Sequence, residues 1–349
     1  MPPPRVLILY NEPTLPGDHH EAAAEHDVLN TVAAVASELT AAHFDISRLG
    51  ISYDPGALLE GVREYAPNVV FNLFEGTAQR GETEAYVAGL LEWLGLPFTG
   101  SPPETLCLAR NKPLTKHLLC GAGLPTPAFR VVEERPRELR TFRWPVIVKP
   151  ANQDASVGLE QASVVTDRAL LEARVRETLQ RYGPPVLVEE FIDGRELTVA
   201  VVECPELRTL PISEILFLDK TPGTWPIVTY DAKWKPDSPA CQLTPVRYPA
   251  EVEPALAEQL RSLALRAFRL LGCRDYARID FRVSPDGAPY ILEVNPNPDF
   301  NQDAGFTAGL QTAGMAHATF AVQLVRNALA RGESKKKPLR KPGKQERRR

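Results

Sequence analysis

Short apolar runs alternate with amphipathic stretches at the start of the chain. Residues 5–10 (RVLILY) and 68–73 (NVVFNL) are almost continuously apolar, which is typical of buried parallel strands. Helical periodicity follows each run, over about 21–42 and over 82–94. This β-α-β-α order predicts a doubly wound α/β domain that ends near Gly100.

The rest of the chain mixes helices with antiparallel strands, as in an α+β protein. The pattern predicts helices over 106–122, 167–182, 254–271 and 315–331, strands over 146–149 and 186–190, and a strand-rich region over 189–294. We therefore expect an N-terminal domain over 1–104, a smaller lobe over 105–188, a larger lobe over 189–330 and a tail over 331–349.

One predicted hairpin places three oxygen-bearing side chains together. Alternating apolar runs flank the turn sequence SPDG at 284–287, so the two runs can pair as antiparallel strands. Asp280 then lies opposite Glu293, and Asn295 shares the face of Glu293 because alternate strand residues point the same way. Such hard ligands suit Mg²⁺. The alternative is a pair of half-exposed strands with ordinary surface acids.

Composition and charge restrict the class of protein. Of the 349 residues, 44% are hydrophobic and 24% are charged, as in a soluble globular protein. The net charge of −4 is uneven, because residues 331–349 hold ten basic and two acidic residues. The remaining body is therefore acidic and lacks a basic surface for specific nucleic acid binding. We predict a disordered basic tail, with weak adhesion to RNA or a membrane as the alternative.

Cysteine usage and hydropathy indicate the cellular compartment of the protein. The five cysteines are scattered without a C-x-x-C pair, which fits reduced thiols in the cytoplasm better than a disulfide framework. No apolar stretch reaches the roughly 18 residues that a membrane span requires. The first residues become polar too soon for a signal peptide. We expect a cytoplasmic protein with no membrane partner.

A nucleotide site has weaker local signals. Neither G-x-x-x-x-G-K-[ST] nor G-x-G-x-x-G is present. Lys149 ends a strand and precedes a small, polar segment that ends at Gly158, so it is placed to meet a phosphate. The alternative is a surface strand end followed by a turn. The next strand carries residues suited to an adenosine site: Glu189, Glu190, Phe191, Ile192 and, after a glycine turn, Glu196.

Several motifs then occur in a fixed order. They are GLPFTGS (95–101), a lysine at 112, PVIVKPA (145–151), ASVG (155–158), VLVEEFIDGRELTVAV (186–201), LPISEI (210–215), YDAKW (230–234), and ARIDF followed by ILEVNPNPD. Together they resemble the ATP-grasp fold, in particular the D-alanine–D-alanine ligase branch, from about residue 5 to 327. The resemblance implies an N-terminal α/β domain followed by two ATP-grasp lobes.

The resemblance also implies chemistry. ATP would lie between the lobes and activate a carboxylate as an acyl phosphate, which an amine attacks with release of ADP and phosphate. By position, the nucleotide site would comprise Lys112, Lys149, Ser156, Glu189, Glu190, Phe191, Ile192 and Glu196. Within this site, the two lysines would contact phosphates, Glu189 would serve adenine and Glu196 would serve the ribose. Asp280, Glu293 and Asn295 would hold two Mg²⁺ ions, with Mn²⁺ as a substitute. Lys233 would be a lid residue that reaches the γ-phosphate, and Arg278 would stabilise the oxyanion.

The substrate positions depart from the family pattern. Where the dipeptide ligases have a cluster of Glu, Ser and Tyr around the first D-alanine, this chain has Glu25, Ala155 and Trp234. Ala304 stands where a serine binds the second substrate's carboxylate, and Asp299 is an added acid nearby. Fewer hydroxyls and one more negative charge favour a cationic or amine-bearing acceptor. Asp299 can alternatively cap a turn.

The sequence thus predicts an ATP-dependent carboxylate–amine ligase whose substrates are small molecules other than two D-alanines. Two alternatives stay open. One is an authentic D-alanine–D-alanine ligase with an altered pocket, and the other is a catalytically idle ATP-binding regulatory protein. The assembly state, including a homodimer, is also left open.

Overall fold

A computed structural model describes residues 2–14, 26–77, 80–134, 143–152, 156–235, 237–302 and 304–336. Its strands form three sheets that follow one another along the chain. The first is parallel, and the other two are built from antiparallel pairs. The arrangement agrees with the α/β opening and the α+β remainder that the sequence predicts.

The N-terminal sheet has the order β2-β1-β3. The predicted strands are present as β1 (Arg5–Asn11) and β3 (Val69–Leu73). Between them lie an unpredicted strand, β2 (Asp45–Ile51), and an unpredicted helix. In β2 only Ile51 is buried, so this edge strand lacks the apolar run on which the prediction depends. The helices are α1 (Val28–Ala41), α2 (Pro55–Tyr65) and α3 (Thr83–Trp93).

The helix predicted over 106–122 is two helices, α4 (Pro103–Arg110) and α5 (Lys112–Gly121). The break occurs at Asn111, whose side chain accepts a hydrogen bond from the backbone N–H of Leu114 at 3.0 Å. Asparagine is a favoured N-cap, and Pro113 in the first turn needs no hydrogen-bond acceptor. The cap thereby places Lys112 at the start of α5.

A four-stranded sheet follows with the order β4-β7-β5-β6. Its predicted central strands are β5 (Val146–Pro150) and β7 (Val186–Glu190), which pair antiparallel. The helix α6 (Arg168–Tyr182) packs on this sheet through buried residues such as Leu171 and Val175. The remaining strands are β4 (Phe129–Val132) and β6 (Val164–Val165).

The third sheet carries the predicted hairpin. Strands β12 (Tyr276–Val283) and β13 (Pro289–Pro296) pair antiparallel, and the Gly287 N–H donates to the Ser284 carbonyl at 2.9 Å to close the turn. The sheet order is β11-β10-β8-β12-β13, with β9 beside β8. Its other strands are β8 (Arg195–Glu203), β9 (Leu207–Thr209), β10 (Ser213–Ile215) and β11 (Val246–Arg247). The helices nearby are α7 (Tyr230–Trp234), α8 (Pro239–Gln242) and α9 (Pro254–Leu270).

The C-terminal segment returns to the N-terminal sheet. Helices α10 (Gly305–Thr312) and α11 (His317–Lys336) share a core with β1 and β3, and Phe320 and Leu324 are fully buried in it. Helix α11 extends past the predicted start of the tail at 331. Arg331 in that helix donates to Asp275 and to the Phe98 carbonyl. Residues 337–349 lie outside the described residues.

Among the described residues, no helix combines the length and the apolar character that crossing a membrane requires.

Candidate active site

The three residues predicted to bind metal, Asp280, Glu293 and Asn295 (the triad), lie close together as expected. Asp280 in β12 is the register partner of Glu293 in β13. The amide nitrogen of Asn295 donates to Asp280 at 2.9 Å and to Glu293 at 3.2 Å, so it bridges the two carboxylates. The antiparallel pairing thus brings two acids and one amide to a single face of the hairpin.

Arg278 shares that face. Its Nε lies 3.0 Å from Oδ1 of Asp280, and its Nη2 lies 3.0 Å from Oδ2, which is a bidentate ion pair. The negative charge of Asp280 raises the pKa of the guanidinium above its usual range. Arg278 therefore remains a cation beside the triad at any physiological pH.

Glu293 is surrounded by cations. The nearest is Lys112, whose Nζ lies 3.9 Å from a carboxylate oxygen of Glu293. Burial alone would raise the pKa of Glu293, but the charges of Lys112, Arg278, Lys149 and Lys233 outweigh burial and lower it. The carboxylate is thus held ionised, as a metal ligand must be.

A first cavity opens beside the triad, between the second and third sheets. Every residue predicted for the nucleotide site contributes to its wall, together with Asp280 and Glu293. Phe191 is packed edge-on against Trp225, with ring centroids 5.4 Å apart. The Glu190 side chain accepts from the backbone N–H of Arg143, and Ser156 lies in a turn with a φ of 63°. The cavity combines an apolar slot with cations at one end.

Glu189 is occupied differently from the prediction that it serves adenine. It is 1% exposed and forms ion pairs with both Lys149 and Lys116. Lys116 is also buried and donates to the Thr126 hydroxyl at 2.7 Å. Sequence analysis missed Lys116, although its position four residues after Lys112 puts both lysines on one face of α5. Glu189 thereby fixes the position of Lys149.

Glu196, predicted for the ribose, pairs with a buried arginine. Nη2 of Arg282 lies 2.9 Å from the Glu196 carboxylate, and burial raises the pKa of that carboxyl. Arg282 also donates to the carbonyls of Gly194 and Pro226. The arginine connects the strand that bears Glu196 to the loop before α7.

A second cavity opens on the other side of Arg278 and Asn295. Its wall also contains Lys233, Asp299 and Ala304, three positions that the sequence singled out. Asp299 accepts a hydrogen bond from the Asn301 N–H at 2.9 Å, so it caps a turn and lines the cavity at once. Ala304 precedes α10 and provides no side-chain cap to that helix.

Lys233, the predicted lid residue, lies in α7. Thr229 caps the start of this helix, because its hydroxyl oxygen accepts a hydrogen bond from the Ala232 N–H at 3.3 Å. Lys233 contributes to the wall of the second cavity rather than the first. Glu25 and Ala155 lie outside the described residues, and the side chain of Trp234 is not described.

Acids of the N-terminal domain complete the second cavity, and the sequence analysis missed them. Glu75 and Glu84 belong to its wall. Asp27, which precedes α1, accepts a hydrogen bond from the amide of Asn301. Its negative charge raises the pKa of both Glu75 and Asp299. No local sequence signal identifies these acids, because they reach the hairpin only when the first and third sheets pack together.

Solved structures with the same architecture identify the fold. The chain superposes on the D-alanine–D-alanine ligase of Bacillus anthracis in complex with ATP with a TM-score of 0.73 and 20% identity, over 95% of this chain and 99% of that chain. The ligase of Coxiella burnetii matches with a TM-score of 0.71 and 19% identity, over 96% of each chain. The protein therefore has the ATP-grasp fold.

Sequence comparison narrows the class to a family. A family model described as "D-ala D-ala ligase C-terminus" matches residues 118–326. The D-alanine–D-alanine ligase of Desulforudis audaxviator is 36% identical over 88% of this chain and 96% of its own length. The uncharacterized protein y4sG of Sinorhizobium fredii is 35% identical over 72% of this chain and 71% of its own length. The chain belongs to the D-alanine–D-alanine ligase family of ATP-grasp ligases.

Proposed function

We propose that the protein joins a carboxylate to an amine at the expense of ATP, through an acyl phosphate, and releases ADP and phosphate. The observation that carries the proposal is the position of Asp280, Glu293 and Asn295 between two cavities. One cavity suits a nucleotide and the other suits two small substrates. A phosphoryl group can then pass from one cavity to the other across the triad.

The first cavity supports ATP binding. Lys112, Lys149 and Ser156 would contact phosphates, and Glu196 would accept from the ribose hydroxyls. The slot formed by Phe191 and Ile192 would enclose the base. Glu189 would act chiefly by holding Lys149, because both of its oxygens already face lysines.

The triad supports Mg²⁺, and Mn²⁺ as a substitute. Two carboxylates and one amide are hard oxygen donors, and the low pKa of Glu293 keeps that ligand charged. In the structure the Asn295 amide nitrogen satisfies both acids, and a half-turn of the amide would present its oxygen to an ion instead. Two ions would neutralise the polyphosphate. Arg278, which faces the second cavity, would donate to the oxygen that gains charge when the amine attacks.

We rank D-alanine as the first substrate to test, for both the carboxylate and the amine. The relatives named D-alanine–D-alanine ligase favour it over the pair of other substrates that the sequence analysis preferred. The second candidate is a different, cationic acceptor. It is favoured by the acids Glu75 and Asp299 in the second cavity and by the absence of a hydroxyl at Ala304.

The deciding experiment is ADP release with D-alanine alone, raised to tens of millimolar, with mass spectrometry of the product. Turnover at a typical enzyme rate of about 10 s⁻¹ with D-alanyl-D-alanine as product supports the first candidate. If D-alanine is turned over slowly, the same assay is repeated with D-alanine and a panel of amino acids and diamines. ADP release that depends on an added amine supports the second candidate. The absence of ADP release from all pairs would favour a regulatory ATP-binding protein.

A further inference from the structure

Glu75 is a candidate for a role that neither the triad nor Arg278 fills. It follows β3 by two residues and lines the second cavity together with Lys233, Arg278 and Asn295. The backbone beside it is closely packed. The next residue, Gly76, has a φ of +93°, and a Cβ there would lie 2.7 Å from the Cα of Gly81. This close approach restricts the backbone that carries the Glu75 side chain in the cavity wall.

The carboxylate has an unusual environment. Within the described ranges it makes no hydrogen bond or salt bridge, in contrast to the other acids around it. The side chain is exposed to the cavity. Desolvation by the surrounding protein, together with the charges of Asp299 and Asp27, raises the pKa of Glu75 to about 7, against the opposing charge of Lys233. Charged or titratable groups approach it from the surrounding elements: Asp27, Glu84, Arg110, Lys233, Tyr276, Arg278 and Asp299.

The neighbouring acids are engaged elsewhere. Asp299 accepts from the Asn301 N–H, and Asp27 accepts from the amides of Asn30 and Asn301. Glu84 accepts weakly from Asn297, at 3.5 Å. Asp280 is held by Arg278. Among the acids that line the described part of this cavity, Glu75 is the one with no hydrogen bond or ion pair on either oxygen.

We propose that Glu75 is the general base for the acceptor, which takes a proton from the acceptor's ammonium group as the amine attacks. This inference rests on the proposed function. An amine is delivered to the site mainly as an ammonium ion, which has no electron pair for attack. Transfer of one proton to Glu75 frees that pair, and the nitrogen then bonds to the carbonyl carbon of the acyl phosphate. The carbon–oxygen bond to phosphate breaks, and phosphate leaves with the bonding electrons. The departing phosphate takes the second proton from the attacking nitrogen, so the products are a neutral amide, hydrogen phosphate and protonated Glu75.

The test uses two nucleophiles that differ in their need for a base. The full-length protein is incubated with ATP, Mg²⁺, D-alanine and hydroxylamine, and mass spectrometry measures D-alanyl-D-alanine and D-alanine hydroxamate in the same tube. Hydroxylamine is largely unprotonated at neutral pH, so it intercepts the acyl phosphate without a base. Glu75→Gln should lower dipeptide formation by about 10²–10⁴-fold and leave hydroxamate formation near the wild-type rate.

The pH profile gives a second measurement. Glu75 accepts a proton only when ionised, so the wild-type dipeptide rate should rise with pH through about 7, the pKa of that carboxyl. In Glu75→Gln this rise with pH should disappear, whereas Glu75→Asp should retain the rise with a reduced rate. Glu82→Gln is the matched control, because Glu82 lies on the same loop, pairs with the exposed Arg80 and is outside the cavity wall. It should leave both products unchanged.

Distinct results overturn the inference and the proposed function. An equal loss of dipeptide and hydroxamate in Glu75→Gln would show a role in binding or folding, and retention of both would show no role. If the wild-type rate of dipeptide formation does not rise with pH near 7, the inference is overturned even if the variant fails to fold. If the wild-type protein forms neither product from D-alanine, the first candidate fails, and the acceptor found by the substrate panel replaces D-alanine in the same test.

Discussion

Arg278 binds both carboxylate oxygens of Asp280 from two residues away on the same strand, at 3.0 Å in each case. The pair joins the triad to the second cavity, because Asp280 faces the first cavity and Arg278 faces the second. A cation that stabilises an oxyanion must be fixed before the reaction begins. In the proposed reaction the ion pair would give Arg278 that fixed position, at the boundary between the two cavities.

The first prediction concerns the triad. Glu293→Gln removes a ligand charge that four cations keep ionised, so ADP release should fall by at least about 10²–10³-fold while the fold is retained. Steady-state assays over a range of Mg²⁺ concentrations measure the effect. Asp286→Asn is the control, since Asp286 is an exposed acid in the turn of the same hairpin and bonds only locally to Ser284. Normal turnover by a folded Glu293→Gln protein would contradict the proposal that Glu293 is a metal ligand.

The second prediction concerns the buried lysine that the sequence analysis missed. Lys116→Met should lower the free energy of unfolding by up to about 3 kcal/mol, because Glu189 keeps a single cationic partner in a buried position. It should also weaken ATP binding, since Glu189 positions Lys149. Chemical denaturation and calorimetric titration with ATP measure the two effects. Lys235→Met removes an exposed pair with Asp231 and should change neither.

The third prediction separates the end of α11 from the residues beyond it. Asp275 is 0% exposed, and Arg331 contacts both of its oxygens while also reaching the Phe98 carbonyl. Arg331→Met should therefore cost up to about 3 kcal/mol of stability. Deletion of residues 337–349 should leave the melting temperature and the activity unchanged. A large loss on that deletion would show that the basic segment contacts the folded body.

The fourth prediction tests a close approach at the second cavity. Gly100 has a φ of +88°, and a Cβ there would lie 2.5 Å from Oδ1 of Asn297, whose oxygen accepts from the Ser101 N–H. Gly100→Ala should destabilise the fold and displace Asn297 from the cavity wall, with a loss of activity. Gly95→Ala is matched, because its φ is +68° and nothing lies within 4 Å of the added carbon. It should show only the conformational cost of about 1–2 kcal/mol. Equal stability of the two variants would argue against the contact.

Local patterns were sufficient for the pairing of the hairpin but not for its full register. The alternation of apolar residues and the SPDG turn specify the strand pairing up to Phe281 and Ile291. A register shift between Asp280 and Phe281, as in a β-bulge, then brings Asp280 opposite Glu293 instead of Leu292. Most of the residues proposed for the nucleotide site lie on the adjacent strands β5 and β7 or in the segments that follow them, whereas Lys112 begins α5 and Glu196 lies on β8. The edge strand β2 was not recognised, because a strand that is mostly half-exposed has no continuous apolar run.

The sequence by itself therefore determined the fold class and the hairpin that carries Asp280, Glu293 and Asn295. Only the tertiary structure decided that Glu189 would pair with Lys116 and Lys149 and that Glu75 and Arg278 would line the same cavity. The physical reason is the range of the interactions. Strand alternation and turn chemistry act between neighbours in the chain, whereas a buried ion pair or a cavity wall depends on how separate sheets pack, which no local period encodes.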